Sequence, residues 1–454
     1  MSEKNRDTSV CSQRAAQILR RLIAEKQEGI LVEWLNLAAR AGQRPPDDLA
    51  PLLLDIGNER PALRERILPV LGEHGFRLAK QSEKWNYIAG QVYDENDWAT
   101  GSKTARMVWL KQCRRDNPDK ARKALRSLWS RKASSDFQDS ARTRYYSTRD
   151  RAEFLAVFDV ALGKNDEAFF VECLDDPDKT IRRIAANLLA RLADSDFTQR
   201  LRDRARFCLT VKKEYLKKTL CVSLPGIYSN EMKRIGVEES DRSEEMLEKR
   251  SSWFLQILFR VAPSFWRETL GAAPAELLEL ASETDYETVL GWGWSMATLL
   301  HRDAEWAEVL IKNAGKQWLK LATQRPCAFL DVLSRERREA VILSKLDAAK
   351  RNPTRLANVF QLLKNSNRWT PNISKAILSR LALLAPTLER TRHLNYNLLS
   401  LFNQAALNAG SETLRQLQEQ LLPVAGDNLP ISDGVKAIME VVEIRQEIHK
   451  EFAS

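Results

Sequence analysis

The amino-acid sequence predicts an all-α protein built as a helical solenoid of stacked helix pairs. Apolar residues recur with helical period in almost every informative window from residue 12 to residue 451. No stretch shows the strict apolar–polar alternation of a half-buried strand over more than a few residues. The 454 residues also exceed the length at which a single core stops growing, about 250–300 residues, so we expect two subdomains or a repeat array.

The predicted helices follow one another along the whole chain. Helical windows cover residues 12–26, 30–40, 60–71, 103–114, 149–162, 197–208, 244–260, 286–300, 335–349, 389–408, 412–422 and 433–451. Three more helices are predicted to open at a proline, after Asn117, Asn352 and Thr370, because proline lacks only an N–H that would have no partner there. Short capped helices in series, without strands, are typical of helical solenoids.

The clearest predicted helix extends to Leu192. Asp176 is its expected N-cap and Pro177 its expected first helical residue. Its apolar side chains should form one stripe: Ile181, Ile184, Ala185, Leu188 and Leu192. We therefore expect Ile184 and Leu188 to be buried between neighbouring helices.

Residues 223–243 are predicted to be a linker, because they contain Pro225-Gly226 and an acidic run and show little helical period. The prediction divides the chain into an N-terminal helical-repeat half over residues 1–222 and a C-terminal helical half over residues 244–454.

The positive charge of the chain is concentrated in one region. The net charge is +10, and residues 111–151 hold thirteen Lys and Arg against five acidic residues. Residues 181–218 hold eleven Lys and Arg against four acidic residues, whereas residues 152–180 between them hold two Lys and eight acidic residues. The basic character therefore belongs to residues 111–218, and an acidic segment interrupts it.

The chain is expected to be a soluble cytoplasmic protein without a membrane segment. Its first residues are polar and lack the apolar core of a signal peptide. No apolar run approaches the ~18 residues of a membrane span. The six cysteines are scattered without a CxxC pair, which favours reduced thiols.

Two groups of motifs carry a family resemblance. The acidic turn Asp175-Asp176-Pro177-Asp178, followed by Ile181-Arg182-Arg183 and Ala185-Ala186, resembles a HEAT-type repeat. A longer set comprises LPVLGEHG at 68–75, Leu78-Ala79, Trp85 and Asp166-Glu167-Ala168-Phe169. Together they resemble an uncharacterised bacterial HEAT-like helical-repeat family, often encoded beside a MoxR-type AAA ATPase, a von Willebrand A-domain protein and a SWIM zinc-finger protein. The resemblance implies a HEAT-like solenoid and a partner among those neighbours, and it carries over no catalytic residue.

The sequence contains no motif that identifies a catalytic residue, a set of metal ligands or a cofactor site. The four histidines lie far apart, without HExxH, and there is no GxxxxGK[ST] loop. Asp175, Asp176 and Asp178 could hold a divalent cation or could simply cap a helix. The tryptophans clustered at 292–318 could anchor a partner or pack between helices.

The basic region supplies the candidate binding residues. Arg122, Lys123 and Arg126 share one predicted helix face, and Arg182 and Arg183 occupy a comparable position on a later helix. We call these five residues the basic strip. They could neutralise phosphates, could form a solvated face, or could bind an acidic protein.

The sequence thus favours a non-enzymatic scaffold or adaptor with a protein partner, since a solenoid exposes a long binding surface without supplying chemistry. The MoxR-type ATPase and the von Willebrand A-domain protein are the expected partners. The alternative is a nucleic-acid-binding HEAT-like protein that uses the basic 111–218 region, either for binding alone or as a base-processing enzyme. A catalytic carboxylate in a basic, aromatic-lined groove would favour the alternative, and a groove of mixed polarity would favour the scaffold.

Overall fold

Helices dominate the structure, as the sequence predicts for the class. The computed structural model describes residues 9–60, 63–79, 82–85, 103–130, 148–215, 217–239, 247–313, 326–349, 352–363, 369–384, 392–410 and 432–452, together with Trp98 and several positions between 413 and 419. In chain order the first helices are α1 (Gln13–Ala24), α2 (Glu28–Ala41), α3 (Ala50–Glu59), α4 (Arg64–Ala79), α5 (Lys103–Asp116), α6 (Pro118–Ser130), α7 (Thr148–Ala156), α8 (Glu167–Cys173), α9 (Lys179–Ala190) and α10 (Asp196–Arg206). They are followed by α11 (Asn230–Arg234), α12 (Lys249–Arg260), α13 (Pro263–Leu270), α14 (Pro274–Ala281), α15 (Glu287–His301), α16 (Ala304–Asn313), α17 (Pro326–Leu330), α18 (Arg335–Ala349), α19 (Pro353–Leu363), α20 (Pro371–Leu384), α21 (Arg392–Asn408) and α22 (Ser432–Glu451).

The chain forms two compact units. The first unit comprises residues 1–92 and 336–454, and the second comprises residues 93–335. The segment 223–243, predicted as a linker between two halves, falls inside the second unit, and its described part, residues 223–239, contains α11. The division into halves at this segment remains a prediction.

The first unit joins the beginning and the end of the chain around one core. Helix α22 packs against both α1 and α2. The fully buried Trp34 of α2 donates from its indole Nε1 to the Ala15 carbonyl at 3.1 Å, and its ring meets Phe452 edge-on at 5.3 Å. Large buried aromatic surface of this kind contributes strongly to packing.

A buried ionic cluster fixes the same contact. Arg445 donates to both carboxylate oxygens of Glu33, at 2.5 and 2.7 Å, and His449 lies 2.7 Å from that carboxylate. Burial alone would raise the pKa of Glu33, but the hydrogen bonds from His449 and Arg445 hold it below its ordinary value. Glu33 therefore stays ionised and ties α2 to α22.

In the second unit, α9 packs against α7, α8 and α10, helix α10 packs against α12, and α12 packs against α15. Helix α12 is the centre of this core, since residues 251–260 are all buried. Trp294 and Trp306 lie fully inside, with ring centroids 5.0 Å apart, and Trp292 is partly buried. The described tryptophans of the 292–318 cluster thus pack between helices, and Trp318 lies outside the described residues.

The local prediction for α9 needs one correction. The helix begins at Lys179, and its N-cap is Asp178, whose carboxylate accepts from the Thr180 N–H at 2.7 Å. Asp176 is buried instead and pairs with Arg151. Leu188 is buried as expected, but Ile184 is only partly buried.

A β-hairpin is the main departure from the helical prediction. Strands β3 (Leu209–Glu214) and β4 (Lys217–Val222) pair antiparallel, after a two-residue parallel pair of β1 (Ser9–Val10) and β2 (Gln43–Arg44) near the N-terminus. Thr210, Val211 and Thr219 are β-branched residues that favour strands. The lysine pairs at 212–213 and 217–218 interrupt the apolar–polar alternation, so the sequence pattern does not predict the strands.

Candidate functional site

The five residues of the basic strip lie on two helices of the second unit. Arg122, Lys123 and Arg126 are on α6, and Arg182 and Arg183 are on α9. Both helices present these side chains away from their buried apolar faces, which include Leu125 and Ala185. The five residues differ in whether an ion pair with a carboxylate already neutralises the charge of the side chain.

Arg122 belongs to a buried ionic network. Its Nε donates to the carboxylate of Asp166 at 2.9 Å, and that carboxylate also accepts two hydrogen bonds from Arg114, at 2.7 and 3.1 Å. Asp166 and Arg114 are almost completely buried, and Arg114 also donates to the Val160 and Ala161 carbonyls. This arrangement holds α5, α6 and the loop before α8 together, so Arg122 is a structural residue.

Two further arginines of the strip also have their own carboxylates. Arg126 donates to Glu172 at 2.6 Å, and Arg182 makes two hydrogen bonds of 2.6 Å each to the two oxygens of Glu238. The second pair has the bidentate geometry that is strongest for arginine. Only Lys123 and Arg183 are exposed without an ion pair among the described residues. The strip therefore offers an external anion two free cations.

A groove in the second unit has a different charge arrangement. It has a volume of about 1250 Å³ and lies between α8, α10 and α11. Four cationic side chains line it: Lys164, Arg200, Lys233 and Arg234. Four carboxylates line it as well: Glu167, Asp175, Asp194 and Asp196. None of these eight groups forms an ion pair with another described residue, and all except Glu167, which accepts a backbone hydrogen bond, remain available to a ligand.

Local structure explains how the walls of the groove are positioned. The Glu167 carboxylate accepts from the Asp196 backbone N–H at 3.0 Å, which fixes α8 against the start of α10. Gly236 follows α11 with a positive φ of 74° and lies so close to α9 that an added Cβ would come within 2.4 Å of the Ala186 Cβ. The buried Met232 anchors α11 on the same side, so Lys233 and Arg234 face outward.

The groove also presents apolar surface. Val171 is 46% exposed on α8, and Ala168 is exposed one turn earlier. The described lining residues include no histidine, cysteine, serine or tyrosine that would serve as a nucleophile. The groove thus combines exposed apolar surface with charges of both signs, which complements a ligand that has a matching pattern of charges.

The sequence pattern did not reveal this groove. Its residues come from the acidic segment, from the basic segment and from the predicted linker, which are far apart along the chain. Polar residues at helix starts, such as Glu167 and Asp196, are ordinary capping signals and do not indicate a site. Only the packing of α8, α10 and α11 brings them together.

Among the described residues, no three His, Cys, Asp or Glu side chains are arranged to hold a metal ion. The Asp175–Asp178 turn is accounted for by the ion pair of Asp176 and the cap of Asp178. Within the same part of the chain, every helix is too short or too polar to cross a bilayer.

Comparison with known proteins gives a family but no characterised relative. Neither the curated proteins nor the solved structures contain a significant match to the chain. A family model described as "Family of unknown function (DUF5691)" matches residues 4–452. The match covers nearly the full sequence, and the chain therefore belongs to this family of unknown function.

Proposed function

We propose that the chain is a non-enzymatic helical scaffold that binds a protein partner through the groove between α8, α10 and α11. The observation that carries the proposal is the mixed polarity of this groove, with four cations and four carboxylates free of ion pairs in the described structure. Opposite charges left unpaired on one surface favour a partner with a complementary pattern of charges. The exposed Val171 and Ala168 supply apolar contact.

The finer architecture is part of the same proposal. Packing of α9 against α7, α8 and α10 supports a HEAT-like arrangement in this part of the second unit, since repeats of a solenoid contact mainly their neighbours. The partners that the family resemblance implies are a MoxR-type AAA ATPase and a von Willebrand A-domain protein. A cytoplasmic location accompanies that proposal.

Nucleic-acid binding by the basic 111–218 region, with or without base processing, is the alternative. The pairing of Arg122, Arg126 and Arg182 with carboxylates weakens it, because neutralised arginines release few counterions when a phosphate approaches. The groove likewise lacks the positive, aromatic-lined character that such an enzyme would use.

The test uses charge reversal in the groove with a matched control elsewhere. The first variant carries Lys233→Glu and Arg234→Glu, and the control carries Lys123→Glu and Arg183→Glu, which makes the same change in net charge at exposed positions outside the groove. Binding of the purified MoxR-type ATPase and of the purified A-domain protein from the same genome to the full chain is measured by biolayer interferometry.

We expect the groove variant to lose at least about ten-fold in affinity for one of these proteins, because charge reversal places like charges opposite each other, which is strongly unfavourable. The control should bind as the wild type does. The proposal would be contradicted if the wild type bound neither protein, or if the two variants lost the same amount of affinity.

A further inference from the structure

The β3–β4 hairpin exposes a polar face that the scaffold function does not use. Successive residues of a strand point to opposite faces, and the pairing places Lys212 opposite Thr219. The buried Leu209 and Leu220 belong to the inner face. The exposed residues of the outer face are two threonines and two lysines: Thr210, Lys212, Lys217 and Thr219. This face offers hydroxyl and ammonium donors side by side.

An aromatic residue with no packing partner lies at the tip of the hairpin. Tyr215 follows β3 directly and is fully exposed, and its φ is 53°. The left-handed region is uncommon for a bulky residue, and two-residue hairpin connections favour Asn, Asp or Gly where φ is positive. Because the ring is surrounded by solvent, packing does not offset this backbone cost. Such strain, when it brings no stability, points to a function of the side chain.

The lysines of the two strands differ in their partners. On β4, Lys217 lies 3.2 Å from Glu283 and Lys218 lies 2.5 Å from Glu276, so these two attach the hairpin to α14 and the residues after it. On β3, Lys212 and Lys213 are exposed and form no ion pair in the described structure. Lys213 is moreover directly opposite Lys218, and like charges opposite each other are unfavourable. Lys212 therefore keeps an exposed ammonium group on the outer face, whereas Lys213 shares the inner face with Lys218, and these two lysines, Lys218 first, lower the pKa of the Glu276 carboxyl.

A second exposed aromatic residue precedes the hairpin. Phe207, which directly follows α10, is 76% exposed, whereas its neighbour Arg206 lies 4.0 Å from Asp203. The exposed rings of Phe207 and Tyr215 thus lie on either side of Lys212 in the sequence. This combination suits a ligand that carries both negative charges and flat π-faces.

We propose that the β3–β4 hairpin is a binding site for single-stranded nucleic acid, in which Lys212 and the outer threonines contact phosphates and Tyr215 stacks on a base. An unpaired strand is favoured over a duplex because its base faces are open to stacking. An acidic protein would account for the lysines but not for the exposed tyrosine ring. A lipid surface would require an apolar face, and the exposed outer face here is polar.

The experiment measures binding of a fluorescein-labelled oligothymidine strand, and of the matching duplex, to the full chain by fluorescence anisotropy over a range of salt concentrations. We expect the single strand to bind more tightly than the duplex. Tyr215→Asn should weaken binding of the single strand roughly ten-fold, from the loss of one stacked base. Because Asn suits a positive φ, the same substitution should not lower the unfolding temperature.

The lysine is tested through the salt dependence. Replacing Lys212 with Gln should reduce the slope of log affinity against log salt by about 0.7, the contribution of one phosphate contact of a single strand. The control carries Lys123→Gln, which removes one exposed lysine elsewhere in the second unit. It should leave both affinity and slope unchanged.

Several results would overturn the proposal. These are no binding of the strand at low salt, equal losses in the hairpin and control variants, or full binding by Tyr215→Asn. Binding of anionic lipid vesicles or of polyglutamate that depends on Tyr215, without binding of the strand, would assign the hairpin to another ligand. Because no groove residue is altered, failure here leaves the proposed protein partner unaffected.

Discussion

Asp166 shows how a single residue decides the meaning of the basic strip. Its carboxylate lies between Arg114 and Arg122 in a site that water scarcely reaches. A buried charge without its partner is strongly unfavourable, whereas an exposed ion pair contributes little. Arg122 therefore stabilises the fold, although the sequence pattern alone suggests that it could bind a phosphate.

This assignment gives a stability prediction. Asp166→Asn should lower the free energy of unfolding by about 3–5 kcal/mol, because Arg114 is left buried without a counter-charge. Arg126→Gln removes the exposed pair with Glu172 and should cost less than about 1 kcal/mol. Urea unfolding followed by circular dichroism measures both. Similar losses in the two variants would mean that the Asp166 network is not buried in solution.

His301 makes the free energy of unfolding depend on pH. Its side chain is partly buried at the end of α15, with Nε2 donating to the Arg260 carbonyl at 2.8 Å. The pKa of His301 is lowered to about 4, mainly by desolvation; Arg191 and Arg202 act in the same direction, while the Arg260 carbonyl and Asp303 act in the opposite direction. The folded protein therefore keeps this histidine neutral at a pH where an unfolded chain protonates it.

The sign of the effect follows from proton binding. Between the unfolded pKa near 6.5 and the folded value of about 4, the unfolded state binds more protons, so stability falls as the pH is lowered. From pH 7 to pH 5 the loss should be about 2 kcal/mol. His301→Asn has no group that titrates in this way. The difference in unfolding free energy between wild type and variant should therefore be smaller at pH 5 than at pH 7, by the same amount. A difference that stays constant with pH would contradict the assignment.

At the scale of elements, helical period predicts α9 well but not its details. Asp176 and Asp178 are both suitable caps by sequence, and the choice depends on Arg151, which lies on α7 and pairs with Asp176. Likewise, Ile184 shares a predicted stripe with Leu188, yet Ala186 and Leu189 take the buried positions beside it. These outcomes depend on the neighbouring helices, which a local pattern does not contain.

Truncation of α9 side chains tests this packing. Leu188→Ala should lower the free energy of unfolding by about 2–5 kcal/mol, as is usual for a buried leucine. Ile184→Ala should cost clearly less, about 1 kcal/mol, because part of that side chain already contacts water. Thermal and urea unfolding of both variants measure the difference. The reverse order would place Ile184 in the core and Leu188 outside it.

The β-hairpin marks the limit of element prediction in this chain. Its strands alternate correctly at Leu209, Thr210 and Val211, but the lysine pairs then break the period. The interruption coincides with the charges and the exposed Tyr215 that we assign to binding. The strands therefore contain charged residues at positions where apolar–polar alternation would have made them recognisable.

At the scale of the whole molecule, the sequence predicts the helical class but not the grouping of helices. The first unit includes both the N-terminal helices and α22, held together by Glu33, Arg445 and His449. Glu33 lies 412 positions from Arg445 and 416 positions from His449, so no local sequence signal connects them. The groove has the same origin, because α8, α10 and α11 meet only in the folded chain.

The central claim is that this groove binds a protein partner, and site-specific photo-crosslinking tests it most directly. A photoreactive phenylalanine analogue replaces Val171 in the groove, or Leu299, a 38% exposed residue of α15, as the matched control. Each full chain is irradiated with the purified MoxR-type ATPase and the purified A-domain protein. The account predicts a covalent adduct with one of them from position 171 and none from position 299. No adduct from position 171, or equal adducts from both positions, would contradict it.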